Sequence, residues 1–80
     1  MSDYRALNLP HPARLQINDG VPSQVNGRWI ESVCESWLVE DRWWTERPLR
    51  RRYWELVSRA GQHLVVFHDL QGGQWFTQSL

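Results

Sequence analysis

Arg51-Arg52-Tyr53-Trp54-Glu55-Leu56-Val57-Ser58-Arg59-Ala60-Gly61-Gln62-His63-Leu64-Val65-Val66-Phe67-His68-Asp69 reads as a β-hairpin. In its first half Tyr53, Glu55 and Val57 fall on one face of an extended chain, and Arg52, Trp54, Leu56 and Ser58 on the other. Ala60-Gly61 supplies the turn. In the second half Leu64, Val66 and His68 alternate with His63, Val65 and Phe67. Period-two alternation on both sides of a glycine turn is the signature of paired antiparallel strands.

Working outward, Leu70-Gln71-Gly72-Gly73 is another glycine turn, and Gln74-Trp75-Phe76-Thr77-Gln78 is a last strand. On the other side, Pro48 cannot donate a backbone hydrogen bond and marks a corner. Before it, Trp37-Leu38-Val39 is a short apolar strand, and Arg28 to Glu35 an earlier one with Trp29 and Val33 opposite Ile30 and Cys34. Asn26-Gly27 and Asn18-Asp19-Gly20 are hairpin turns, because a tight β-turn of this kind requires positive φ. They set off Val21–Val25, where Pro22 indicates an edge strand or a strand start, and Arg14–Ile17. Residues 1–12 carry Pro10 and Pro12 without periodicity and read as a flexible N-terminal arm; residues 13–80 read as one small β domain. The fold expected is all-β: a strongly bent antiparallel meander of five or six strands, with a small SH3-like barrel as its closed form. Its expected core is Trp37, Val39, Trp54, Leu56, Val65, Phe67 and Trp75.

Eighty residues lie near the lower limit for folding on one core, and six tryptophans help a chain this short to bury enough surface. The single cysteine, Cys34, excludes an internal disulfide and suits a cytoplasmic chain, with Cys34 expected as a small buried side chain. No apolar run is long enough for a membrane helix, and Met1 to Arg5 lacks the apolar region of a signal peptide.

Charge is distributed unevenly around a net charge of zero. Glu31, Glu35, Glu40, Asp41 and Glu46 precede a block of Arg47, Arg50, Arg51, Arg52 and Arg59. All the basic residues are arginine, whose planar fork donates several hydrogen bonds and stacks on rings. From Arg42 to Trp54 these arginines are interleaved with Trp43, Trp44 and Trp54. Trp43, Trp44, Arg47, Arg50, Arg51 and Arg52 are therefore the candidate partner-binding residues. Tryptophan and arginine are favoured at protein interfaces. The same pair can stack bases and track phosphates of a single strand, but the zero net charge weighs against nucleic acid as the main ligand. A structural role is also open: Trp43 and Trp44 can plug an open sheet end while Arg50–Arg52 pair with the preceding acids.

Catalysis is not expected. His63 and His68, five apart on a strand, face opposite ways and cannot chelate one metal together. Cys34 has no glycine elbow, helix N-terminus or oxyanion donors beside it. Gly72-Gly73 lies between strands with no helix to make a phosphate loop. Glu31 and Glu35 fall on one face, but no insertion builds a pocket around them. No cofactor and no metal are expected.

Val25-Asn26-Gly27-Arg28-Trp29, Trp37-Leu38-Val39, Trp43-Trp44, Arg51-Arg52-Tyr53-Trp54-Glu55-Leu56, Ala60-Gly61, Val66-Phe67-His68-Asp69-Leu70 and Gly73-Gln74-Trp75-Phe76 together resemble a family of small bacterial domains of unknown function. The likeness spans residues 13–78 in order. Relatives in that family look like stand-alone proteins and like the C-terminal segments of ImuB-type proteins, the inactive Y-family polymerase relatives of the bacterial mutasome. The chain departs from the family pattern at Trp54, where tyrosine is common, and at His68, where arginine is frequent. The resemblance implies an accessory or adaptor role in SOS-linked translesion DNA synthesis or repair, with a DNA polymerase or mutasome component as protein partner. It brings no catalytic residue.

Overall fold

A computed structural model describes residues 9–42 and 44–78. The chain is all-β: β1 His11–Pro12, β2 Leu15–Asn18, β3 Val21–Val25, β4 Arg28–Asp41, β5 Leu49–Ser58, β6 His63–Asp69 and β7 Trp75–Gln78. They form one curled antiparallel sheet in the order β1-β7-β6-β5-β4-β3-β2. Among the described residues no helix is long and apolar enough to cross a membrane.

Each turn has a local cause. Asn26 and Gly27 take φ of 50° and 85°, and Asp19 and Gly20 take 54° and 78°, as two-residue hairpin turns demand. Gly61, at φ 85°, closes the β5–β6 turn, where its N–H donates to the Ser58 carbonyl. After β6 the Asp69 carboxylate accepts from the Gln71 and Gly72 amides, which folds the chain back towards β7.

The strand order places the two ends of the sheet at consecutive positions in the chain. β1 lies along β7 and β2 along β3, with only Ala13 and Arg14 between them. Pro12 and Leu15 are three residue steps apart and can be separated by about 11 Å at most, so the sheet must curl until its edges come together. The seam is stitched on both sides: the Ala13 amide donates to the Trp75 carbonyl, while Arg14 and Asn26 exchange hydrogen bonds through the Asn26 side chain and backbone. This gives the barrel-like shape expected from the meander. His11 and Pro12, assigned by sequence to the arm, are the exception at the boundary. They pair with Thr77 and Phe76.

The sequence split β4 in two; it is one strand of 14 residues. Straight, it would be about 46 Å long, more than the 39 Å longest extent of the molecule. Two register shifts against β5, between Ile30 and Ser32 and between Val33 and Glu35, bend it. Those shifts also correct the expected faces. Ile30 stands opposite Ser58 and Val33 opposite Leu56, so the two share a face although three apart. Glu31 and Cys34 are the extra residues of the bulges, which explains why Cys34 is exposed and not buried.

The inner face holds the core. Val25, Leu56 and Val66 are fully buried, and Leu15, Ile30, Trp54, Leu64 and Trp75 pack around them. Burying a side chain of this size contributes about 1.5–3 kcal/mol. Of the seven expected core residues, Leu56 and Phe67 are fully buried; Trp37, Val39, Trp54, Val65 and Trp75 are half-buried. They also divide between the two faces. A single curled layer has too little mass on either side to cover seven large side chains.

Candidate functional site

The arginine-aromatic corner divides when it folds. Strand alternation points Arg50 and Arg52 to the inner side of β5 and Arg51 to the outer side. On the inner side Arg50 Nε donates to Glu40 Oε2 across the β4–β5 pair at 2.9 Å. Both side chains are half exposed, so this pair contributes about 0–1 kcal/mol. Arg52 stands opposite Leu38 and His68, and the His68 ring stacks on Trp75 at 4.3 Å. On the outer side the Arg51 guanidinium lies over the Phe67 ring, 4.3 Å from its centre, and Nη1 donates to the Tyr53 hydroxyl.

The remaining corner residues belong to the β4–β5 connection. Arg42 adopts φ 53°, a conformation uncommon outside glycine and asparagine. Its N–H donates to its neighbour's carboxylate, Asp41 Oδ1, and its carbonyl accepts from both the amide and the hydroxyl of Thr45. Thr45 Oγ1 then accepts from the Arg47 amide. This knot presents Trp44, 65% exposed, beside exposed Glu46 and Arg47. Trp43 lies outside the described residues.

A second feature was not anticipated as a unit. Trp37, Tyr53, Phe67, Phe76 and Pro12 are in register across β4, β5, β6, β7 and β1, forming one outer-face row. Trp37 and Tyr53 are parallel within 4° at 5.4 Å, Tyr53 and Phe67 are tilted at 5.1 Å, and Phe67 and Phe76 stack at 5.0 Å. Rings lying side by side, flat on a sheet, would need centres about 7 Å apart. At the shorter spacing they overlap face to face and turn their edges to the surroundings. Within the row Tyr53 and Phe67 have rings on both sides, which leaves little open face there for base stacking. Register arithmetic from the 58–62 turn could have shown Tyr53 opposite Phe67; the bulges in β4 hid Trp37.

His63 and His68 pair with Val57 and Arg52, positions of opposite parity, so they face opposite ways. Among the described residues no three His, Cys, Asp or Glu side chains gather as a metal site. An open groove of about 790 Å³ follows the seam, lined by Pro12, Ala13, Arg14, Gln16, Gln24, Asn26 and Gly27. Its lining includes none of the corner residues. Trp54 Nε1 is buried with no acceptor among the described residues. Compared with known protein families, curated proteins and solved structures, the chain matches none.

Proposed function

We propose that this chain is a non-enzymatic adaptor that docks a protein partner in the cytoplasm, and that the partner belongs to DNA damage tolerance, as a polymerase or mutasome component. The damage-tolerance part rests wholly on the sequence resemblance. The preference for protein over nucleic acid is supported chiefly by how the arginines are engaged. Arg50 is paired with Glu40, and Arg51 lies over Phe67. Arg51 is held against a ring, Arg50 has a carboxylate partner that a phosphate would have to displace, and within the outer row Tyr53 and Phe67 have rings on both sides. Trp44 and Arg47 are exposed at the corner and are residue types that dominate interface energetics.

The test pairs two titrations. The purified chain is titrated with an ImuB-type protein and, separately, with a labelled single-stranded oligonucleotide over a range of salt. The expected result is protein binding that Trp44→Ala and Arg47→Glu weaken at least tenfold, with unchanged melting. Oligonucleotide affinity should be negligible at physiological salt. Tight DNA binding, falling with salt at a log–log slope of about 0.7 per phosphate contacted, would move the assignment to a single-strand binder.

A further inference from the structure

Among the described residues most of β4 has a strand neighbour on one side only. Its pairing with β3 covers Arg28 and Trp29 and goes no further, although β3 itself continues back to Val21. Its pairing with β5 continues to Asp41. From Glu35 to Asp41 that pairing is regular, with no register shift: Glu35, Trp37, Val39 and Asp41 stand on the outer face, and Ser36, Leu38 and Glu40 on the inner.

The direction of the backbone groups follows from β5. The Arg50 carbonyl accepts from Leu70, and the Ser58 amide donates to Gln62, so the even-numbered residues of β5 bond towards β6. In an antiparallel ladder their β4 partners then turn their own N–H and C=O groups away from β5. Those partners are Ser36, Leu38 and Glu40. No backbone hydrogen bond among the described residues reaches these three from the far side. They form an edge of unbroken register, with Leu38 41% exposed along it. Edges of this kind accept an added strand unless charge or a bulge prevents it. The bulges of β4 protect only its first half.

Charge selects the occupant. Glu35-Ser36-Trp37-Leu38-Val39-Glu40-Asp41 carries three carboxylates and no cation. Glu35 also stands directly opposite Glu55 on the outer face, a like-charge pair that costs stability. A second copy of this chain paired antiparallel about Leu38 would set Glu35 of each copy against Asp41 of the other, while Glu40 keeps its Arg50 partner. A strand with basic ends and an apolar middle would place cations beside Glu35 and Asp41 and apolar side chains beside Trp37 and Val39.

The geometry points to β4 as an acceptor for β-strand addition: its Glu35–Asp41 edge takes an extended segment of a partner protein. That segment has basic residues at its first and seventh positions and apolar residues at its third and fifth. This builds on the reading of the chain as a protein-binding adaptor but concerns a surface distinct from Trp44 and Arg47. Main-chain hydrogen bonds to Ser36, Leu38 and Glu40 give the attachment, and the flanking carboxylates give the selectivity.

The probe is a capped seven-residue peptide, arginine–threonine–valine–threonine–valine–threonine–arginine, with a control in which glutamate replaces both arginines. Hydrogen exchange read residue by residue should show the Ser36, Leu38 and Glu40 amides exchanging fast in the chain alone and slowing at least tenfold with the arginine peptide. The Trp37 and Val39 amides, held by β5, should be slow throughout. Leu38→Pro removes an outward amide that the β5 ladder does not use, and should abolish binding while the chain stays folded. Glu35→Arg, which removes a like-charge pair, should fold and weaken binding at least tenfold, so the proposal stays testable if the proline variant unfolds. Absent protection at millimolar peptide, or equal binding of the glutamate control, overturns it. Concentration-dependent dimerisation lost in Leu38→Pro would make a second copy the occupant and also overturn it. Because the probe is synthetic, failure of an ImuB-type protein to bind leaves this result unaffected, and the reverse holds too.

Discussion

On the inner face, Leu56 and Val66 are covered by another part of the chain, the β2–β3 hairpin that brings Leu15 and Val25 over them. On the outer face Phe67 is equally buried, at 1% exposure, yet its contacts come from the sheet itself: Tyr53, Phe76 and the Arg51 guanidinium. The difference shows how a chain of this size buries large residues on both sides of one layer. The inner face depends on topology, since the sheet must curl and close at Ala13–Arg14 for the hairpin to arrive. The outer face depends on register, since rings one strand apart cover one another only when the pairing brings them level.

The largest expected effect tests whether the outer row is a second core. Phe67→Ala should cost about 3–5 kcal/mol, comparable to a fully packed phenylalanine elsewhere, and thermal melting would show it as a loss of tens of degrees. A shift of only a few degrees would reduce the row to surface decoration. On the inner face Leu56→Ala should cost about 2–5 kcal/mol by the same measurement. A much smaller loss would mean that the β2–β3 hairpin covers the core only loosely.

A smaller effect is expected at the turn that positions that hairpin. Gly27 takes φ 85°, so Gly27→Val should cost about 1–2 kcal/mol through backbone strain alone, since a Cβ there meets nothing within 4 Å. Hydrogen exchange should show faster opening of β2 and β3, with β5 and β6 little changed. Uniform acceleration across the sheet would mean that the two faces fold as one unit and sharpen the comparison in the opposite sense.

The smallest effects distinguish two adjacent arginines. Arg51→Ala should cost about 0.5–1 kcal/mol by loss of its contact with the Phe67 ring. Arg50→Ala should cost about 0–1 kcal/mol, with a dependence on salt expected of an exposed ion pair. Urea denaturation at low and high salt separates them. Equal salt dependence at the two positions would argue that Arg51 acts through charge and not through the ring.

The hairpin from Arg51 to Asp69 was legible because alternation and the Ala60-Gly61 turn gave the same answer at one scale of about ten residues. Residues at the corner were harder. Arg50, Arg51 and Arg52 are consecutive in the chain and look like one basic cluster, but a period of two sends them to opposite faces of β5. Cys34 was misplaced for a related reason. A bulge adds one residue without changing composition, so face assignments slip from the first bulge until the second restores them, and nothing in residues 28–35 announces either. The open edge of β4 was hidden by the same segment, which looked like two strands and hence like two shorter edges.

The sequence by itself determined what is local: the all-β class, the positive-φ turns at Asn26-Gly27 and Gly61, the alternation of β5 and β6, and the uneven charge along the chain. These depend on a few neighbouring residues and on the φ each one tolerates. Only the tertiary structure decided what depends on pairing over long distances. It closed the sheet at Ala13–Arg14 and aligned Trp37, Tyr53, Phe67 and Phe76 in one row. It also paired Arg50 with Glu40, laid Arg51 over Phe67, and, among the described residues, gave the far side of Glu35–Asp41 no strand partner. Register carries this information, and one bulged residue is enough to change it.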